Sequence, residues 1–567
     1  MAFHVVLIYP PVSFHEPGSD RPRGSDPDLY FMPYGMLTLA AQLRMRGFET
    51  EVFNLSTYTW DEAVGEIENR QADLFGLSCF TAFRHVVARL GAEIRRVHPQ
   101  CHLTVGGPHV SPLAVEWLLH YPAFDSVVIG EGEETVVELA ERLRAGRPTE
   151  AIPGTAFRRA DRSLLAEPRP FIEQLDSLAR PWEHFDYGFL ITSRGCPGKC
   201  SFCCSPQLWG SQVRFRSAAN VLDELEELVT ARGHRYLHIK DDTFTAGRKR
   251  LLAICRGILD HRLTFRWACD TRVNLLDAEI LHAMRRAGCV KVNLGIESAN
   301  AEVLRLLNKR IDVAQACEVT SLARSLAIDV RHYLIAGGRA ETPQTLRETF
   351  EFLDSARPTH VLLGGLRIFP GTAEFRRACE NGLLTVEDYF DEHAMEEETL
   401  NLGEQTSEMR QLLGRVLGQF GGGEKAFAPY TLEEREQILA DHPEMLRSYT
   451  DLAVEYARQW RLDEAERVLH SAVERFGSGN AELLHHMACL RFARYDLIGA
   501  KALFDRAAQA APNDTLIQAN LNLLGAAEID YQNHQTLAQR LFANLTSTEF
   551  LYVVDGKREL TMPCTAG

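Results

Sequence analysis

The sequence predicts an α/β protein of three parts: a doubly wound parallel sheet, a second domain of six strand–helix units and an all-α C-terminal domain. Three observations predict this. Short apolar runs alternate with amphipathic stretches through the first 150 residues, the pattern of buried strands separated by helices. The alternation resumes beside a cysteine-rich loop near residue 196 and continues to about residue 425. From Thr431 two-residue patterns vanish and alanine-rich helical patterns replace them. A chain of 567 residues has room for three such units. The expected boundaries are 1–150, a linker 151–185, 186–425, 426–545 and a mobile tail 546–567.

In the first part the expected strands are His4–Pro10, Thr50–Leu55, Asp73–Cys79, His102–Gly107 and Ser126–Gly130, with helices over Tyr34–Gly47, Phe83–Val97 and Thr135–Arg144. Ligands of doubly wound sheets bind beyond the carboxyl ends of the strands. Small or polar residues collect there: Ser78-Cys79, Gly106-Gly107-Pro108-His109 and Gly130-Glu131-Gly132-Glu133. The dinucleotide-binding GxGxxG run is absent after the first strand, which argues against NAD or FAD.

The second part opens on Cys196-Pro-Gly-Lys-Cys200-Ser-Phe-Cys203, directly after the apolar Phe189-Leu-Ile-Thr. Thiolates hold iron–sulfur clusters, and three of them leave one iron of a [4Fe–4S] cube open. Zinc needs four ligands and favours paired CxxC knuckles. Cys204 is expected to point away from Cys203 as a non-ligand. Strands are then expected at Tyr236–Lys240, Thr264–Ala268, Val290–Gly295, Asp329–Ala336 and Val361–Phe369. Polar or small residues close them: Asp241-Asp242, Asp270 with Arg272, Glu297-Ser298, Gly337-Gly338 and Pro370-Gly371-Thr372. Barrel enzymes keep their chemistry at these carboxyl ends.

In the third part Tyr449, Leu452, Ala453, Tyr456, Ala465, Leu469 and Ala472 recur 35 positions later as Leu484, Met487, Ala488, Arg491, Ala500, Phe504 and Ala507. This is similar to the spacing of tetratricopeptide repeats. A degenerate third copy over Leu516–Leu545 would cap the array, which is expected to pack on the barrel. It reads either as a platform for a peptide or carrier-protein partner, or as a lid or dimerisation element. Gly421-Gly422-Gly423 looks like the hinge before it, and Leu551–Gly567, with Cys564, like a mobile terminus.

Composition excludes other classes. With 77 acidic and 61 basic side chains the net charge is −16, which disfavours nucleic acid and membrane surfaces. The start reads as a buried strand rather than a signal peptide, and no run of eighteen apolar residues spans a bilayer. Thirteen cysteines, scattered apart from the 196–204 cluster, suit a reducing cytoplasm.

The CxxxCxxC loop, with Phe202 before its third cysteine, resembles the signature of radical SAM enzymes. The strand ending Tyr9-Pro-Pro, then Pro33-Tyr34-Gly35, Gly-Gly-Pro-His and Gly-Glu-Gly-Glu, resembles the cobalamin-binding module of the B12-dependent members. The resemblance implies a Rossmann-like cobalamin domain and a partial (β/α)6 TIM-type barrel. Cys196, Cys200 and Cys203 would hold the [4Fe–4S] cluster as catalytic metal ligands. Phe202, Asp242, Arg272, Glu297, Ser298 and Gly337 would contact S-adenosyl-L-methionine. Tyr34, Ser78, Gly106, Gly107, Pro108, His109 and Gly130–Glu133 would contact cobalamin, with His109 equally well a loop-fixing residue. The Asp-x-His-x-x-Gly motif that gives cobalt a histidine is missing, so the resemblance implies base-off methylcobalamin without a histidine ligand. Methylthiotransferases are set apart, since only Cys79 and Cys101 precede the loop. The implied reaction is methylation of an unactivated carbon of a natural-product or cofactor precursor, small or carrier-bound, with electrons from a flavodoxin- or ferredoxin-type donor. Alternatives are a non-methylating radical cyclase or ring-rearranging oxidoreductase, and a partner-binding repeat protein with a degenerate barrel.

Overall fold

The computed structural model describes residues 3–11, 33–159, 162–391, 402–420, 425–526 and 533–546. The expected glycine hinge and the tail from residue 547 lie outside the described residues. The first five strands are β1 (His4–Tyr9), β2 (Glu49–Asn54), β3 (Leu74–Ser78), β4 (His102–Gly106) and β5 (Ser126–Val128). They pair in parallel in the order β2-β1-β3-β4-β5. Val5, Val6, Leu74, Phe75, Leu103, Val105 and Val127 are fully buried, as strands covered by helices on both faces must be. The strand order reverses between β1 and β3, so a crevice opens at their carboxyl ends.

The segment read as a linker begins with two more strands of this sheet. β6 (Thr155–Arg159) and β7 (Arg162–Leu165) form an antiparallel hairpin beside β5. Arginines at 158, 159 and 162 hide the alternation, because an exposed edge strand carries charge where a central one carries valine.

The second domain follows β8 (Phe189–Leu190), β9 (Ser193–Arg194), β10 (Arg214–Phe215), β11 (Tyr236–Ile239), β12 (Arg266–Thr271), β13 (Cys289–Glu297), β14 (Asp329–Ala336) and β15 (His360–Gly365). Strands β8, β11, β12, β13, β14 and β15 are parallel in that order. A short antiparallel β16 (Lys425–Ala426) lies at the far edge, and the ladder stays open as a partial barrel. β9 and β10 pair only with each other, Arg194 opposite Arg214. This small clamp brackets the cysteine loop at its base.

Seven helices complete the described chain, from Leu432–Asp441 to His534–Thr546. Of the expected repeat positions, Leu452, Ala453, Ala465, Leu469, Ala472, Ala488, Ala500, Phe504 and Ala507 are at most 3% exposed, whereas the Arg491 side chain is 40% exposed. The helices dock on the amino-terminal ends of the barrel strands. Arg235 Nε lies 2.6 Å from Asp514 Oδ2, Thr515 N donates to Gly233 O (3.1 Å) and Arg266 Nη1 donates to Leu545 O (2.7 Å). This corrects the lid reading, because the cysteine loop opens at the opposite, carboxyl-terminal face. Among the described residues no helix is long and apolar enough to cross a membrane.

Candidate functional site

A cavity of about 480 Å3 lies where the carboxyl ends of β1, β3, β4 and β5 face the barrel. Tyr34, Ser78, Gly106, Gly107, Pro108 and Gly130–Glu133 line it from the first domain. Gly107 has φ +116°, and a Cβ there would stand 2.6 Å from Cys79 O, so this turn requires glycine. The barrel contributes Phe189, Ile191, Leu208, Trp209 and Lys240. Leu208 and Trp209 end the short helix Ser205–Trp209, directly after the cysteine loop.

His109 is absent from this lining. It is fully buried between Trp117 and Tyr389, with Nδ1 3.2 Å from Thr81 Oγ1. Burial, then the charge of Arg84, pushes the imidazole down to about 3, so it stays neutral and fixes the loop. The contact to cobalamin expected of His109 is thereby corrected.

Glu131 and Glu133 line the cavity with their carboxylates already engaged. Glu131 accepts from Arg194 Nη1 (2.8 Å), Arg214 Nη1 (2.9 Å) and Ile172 N (2.7 Å). Glu133 accepts from Arg194 Nη2 and from Thr38 Oγ1 (3.1 Å). All four charged side chains are at most 5% exposed. Burial acts to raise the Glu133 carboxyl, and Arg194 outweighs it, holding it below the usual carboxylate range. The two arginines of the clamp thus bind the two glutamates of the Gly-Glu-Gly-Glu turn. Arg194 also stacks over the Trp209 ring at 4.8 Å, and Arg214 Nη2 donates to Trp209 O (2.9 Å). Tyr34 sits on the same seam, donating to Glu224 (3.1 Å) and accepting from Arg216 (3.3 Å).

The cysteine loop crosses the carboxyl end of the barrel. Cys196, Cys200 and Cys203 are half-buried. Ser201 N donates to Leu307 O (2.9 Å), Asn308 Nδ2 to Lys199 O (2.5 Å) and Glu374 N to Ser201 O (3.1 Å), so the surrounding barrel helps to shape the loop. Phe202 is half-buried against the apolar cluster that contains Leu366, Ile368, Phe375 and Tyr389. Arg272 Nη1 lies 3.8 Å from Cys200 Sγ, and a Cβ on Gly198 would come within 2.6 Å of that Nη1. Three thiols on one loop are by their chemistry the donor set of an iron–sulfur cluster.

Of the remaining strand-end residues, Asp242 lies beside the loop and accepts from Ser205 Oγ (2.5 Å). Asp241 is structural, accepting from Thr192 N (2.5 Å) and Ser193 Oγ (2.6 Å). Three further residues expected at S-adenosylmethionine have partners within the protein. Glu297 accepts from Lys309 Nζ (2.9 Å), both side chains being at most 8% exposed. Ser298 Oγ accepts from Asn300 N (3.2 Å) and meets Thr349 Oγ1 (3.3 Å). Gly337 N donates to Glu341, and Gly337 O accepts from Leu402 N (2.8 Å).

Sequence reasoning placed Asp270 at a strand end and missed the three side chains around it, His238, Asn293 and Tyr333. Asp270 accepts from His238 Nε2 (3.0 Å), Asn293 Nδ2 (3.1 Å) and Tyr333 OH (3.3 Å). Burial acts to raise the Asp270 carboxyl, and His238 outweighs it to hold it down. The four stand one on each of β11, β12, β13 and β14, at positions whose alternation points them to one face.

Residues 190–353 match the family model described as the radical SAM superfamily, and residues 25–140 that described as the B12 binding domain. The chain belongs to the B12-dependent radical SAM family. Among relatives of this B12-dependent radical SAM protein, an uncharacterized methyltransferase of Pyrococcus horikoshii is 27% identical over 62% of this chain and 79% of its own. An anaerobic magnesium-protoporphyrin IX monomethyl ester cyclase of Rubrivivax gelatinosus is 27% identical over 62% and 66%. The hopanoid C-3 methylase of Methylococcus capsulatus is 27% identical over 63% and 70%. The fold is that of the methyltransferase TsrM from Kitasatospora setae (TM-score 0.58, 22% identity, 67% of this chain and 76% of that one). It is also that of the cobalamin-dependent radical enzyme OxsB (TM-score 0.52, 15% identity, 96% and 84%). Membership brings a [4Fe–4S] cluster, S-adenosylmethionine and cobalamin.

One carboxyl of this B12-dependent radical SAM protein makes stability depend on pH. Glu341 is 1% exposed, and its Oε2 accepts from the N–H groups of Gly337 and Gly338 while Oε1 has no partner. Burial pushes it up to about 7, against those two N–H groups. Its folded-state pKa exceeds the unfolded value of about 4.3. The contribution is therefore whole below pH 4.3 and is lost as pH rises to 7, by up to about 3 kcal/mol. We expect Glu341→Gln to be more stable than the parent at pH 8 and similar to it at pH 4.5. Unfolding curves that run parallel across this range would refute the assignment.

Proposed function

We propose that this protein methylates an unactivated carbon of a small polar natural-product or cofactor precursor. The observation that carries the reading is continuity: residues 196–209 supply both the three thiols and one wall of the 480 Å3 cavity. Bound there, the cluster, S-adenosylmethionine and methylcobalamin supply a 5'-deoxyadenosyl radical and a methyl group. The chain's own residues bind and orient. Cys196, Cys200 and Cys203 hold iron, while Arg272 and Asp242 flank the place for the carboxylate and ammonium of S-adenosylmethionine. Tyr34, Ser78, Gly106, Gly107, Pro108, Gly130 and Gly132 cradle the corrinoid. Among the described residues none lining the cavity is a histidine, which supports a base-off corrinoid without a histidine ligand. Co(II) EPR should then lack splitting from a histidine nitrogen. Inside the barrel the ionised Asp270, with His238, Asn293 and Tyr333, accepts and donates hydrogen bonds. Such a lining suits a polar substrate over a sterol-like one.

Product counting tests the reaction. Methylation should give one S-adenosylhomocysteine for each 5'-deoxyadenosine. Deoxyadenosine without matching homocysteine product would instead favour a radical cyclase, the reading supported by the Rubrivivax gelatinosus relative.

A flavodoxin- or ferredoxin-type protein is the proposed electron donor, in the cytoplasm. A cleft of about 570 Å3 opens on Cys200 and Cys203 and is rimmed by Lys199, Arg305, Arg339, Arg376 and Arg377. On a chain of net charge −16 this basic rim suits an acidic redox protein. Arg376→Glu should slow cluster reduction by flavodoxin and leave reduction by dithionite unchanged. Equal slowing with both reductants would remove the donor from this cleft.

A further inference from the structure

A second cavity, about 1010 Å3, separates the amino-terminal ends of the barrel strands from the helical domain. It lies at the end of the barrel opposite the cysteine loop, and nothing in the proposed chemistry uses it. Its charge is unbalanced. Six arginines line it, five on the barrel side, Arg285 among them, and Arg447 on the helical side, against four carboxylates. Those carboxylates are partly spent. Asp514 pairs with Arg235 (2.6 Å), and Asp451 Oδ2 serves both Arg447 (2.9 Å) and Arg435 (3.1 Å), the latter outside the lining.

Arg285 is the sharpest sign of a missing partner. It is 4% exposed, and its Nε and Nη2 are buried with no hydrogen-bond partner, as is Nη1 of Arg447. Burial, then the like charge of Arg447, pushes Arg285 down to about 10. Leaving buried guanidinium N–H groups unpaired is costly. A guanidinium fork is shaped for phosphate and carboxylate oxygens, and a cavity of this size accepts a metabolite-sized ligand.

We infer that this cavity binds a small multivalent oxyanion, phosphate- or carboxylate-bearing, which joins Arg285 of the barrel to Arg447 of the helical domain. The anion neutralises cations from both domains at once, so it fastens the helical array to the barrel. Other anion-sized features do not compete: the basic cleft at the cysteine loop is exposed and belongs to the site already described.

Calorimetry and thermal unfolding of the full chain test this, using pyrophosphate, ATP and citrate against sodium chloride of equal ionic strength. The expected result is saturable one-to-one binding and a rise in Tm of roughly 2–4 °C at about a hundredfold excess over Kd. Pyrophosphate or ATP binding tighter than citrate identifies a phosphate ligand, and the reverse order a polycarboxylate. Arg285→Met should abolish the binding. Arg262→Glu, an exposed change at the cavity rim, should weaken it roughly three- to tenfold without disturbing any buried pair. No saturable binding by any of the three anions, or an affinity that Arg262→Glu leaves unaltered, overturns the inference.

Discussion

Replacing Cys196, Cys200 and Cys203 together by alanine is expected to abolish 5'-deoxyadenosine formation and the [4Fe–4S] absorbance, while the chain still folds. The fold should survive because the loop is pinned by backbone bonds that contain no thiol: Ser201 to Leu307, and Glu374 to Ser201. Corrinoid retention is expected to persist as well, since Trp209 is held by Arg214 and Arg194 rather than by cysteine. Iron analysis, the visible spectrum and chromatography of the nucleoside products check this. A triple variant that keeps a full cluster signal would remove the three thiols from the centre of the site.

Removing one guanidinium is expected to be nearly as damaging. Arg194→Met leaves Glu131 without one of its two arginines and Glu133 without its arginine, at a place where both carboxylates are at most 4% exposed. Breaking a buried pair from one side costs about 3–5 kcal/mol. The variant should lose corrinoid on desalting and show a lower Tm. Arg194→Lys should not rescue it, because an ammonium cannot reach two carboxylates with a planar fork. An Arg194→Met protein with unchanged Tm and full corrinoid retention would show that the clamp does not hold the domains together.

The sheet, the barrel strands and the helical pairs were legible because each buries apolar residues at a fixed period. Val5 and Leu103 lie in parallel strands covered on both sides, and Ala465 and Ala472 at close helix crossings. The cavity turns were legible because glycine and proline mark strand ends. Partnership was not. Glu297 looks like a ligand-binding carboxylate until Lys309, twelve residues on, is seen to hold it. Glu131 meets Arg194 from 63 positions away, and no local pattern records such a pairing. His109 shares its loop with true lining residues, yet its ring turns inward to Trp117. Alternation showed where side chains stand, and only tertiary contact decided which of them were already satisfied.

The clamp has a consequence for how such a chain is built and changed. Arg194 and Arg214 pair across β9 and β10 and converge on Glu131. Closing the base of the cysteine loop and seating the first domain are therefore one cooperative event. A chimera that imports the first 150 residues from a relative should work only if the acidic turn and the two arginines travel as a set. The unit of inheritance here is the joint, and either domain moved without it would fold beside its neighbour and leave the shared wall unmade.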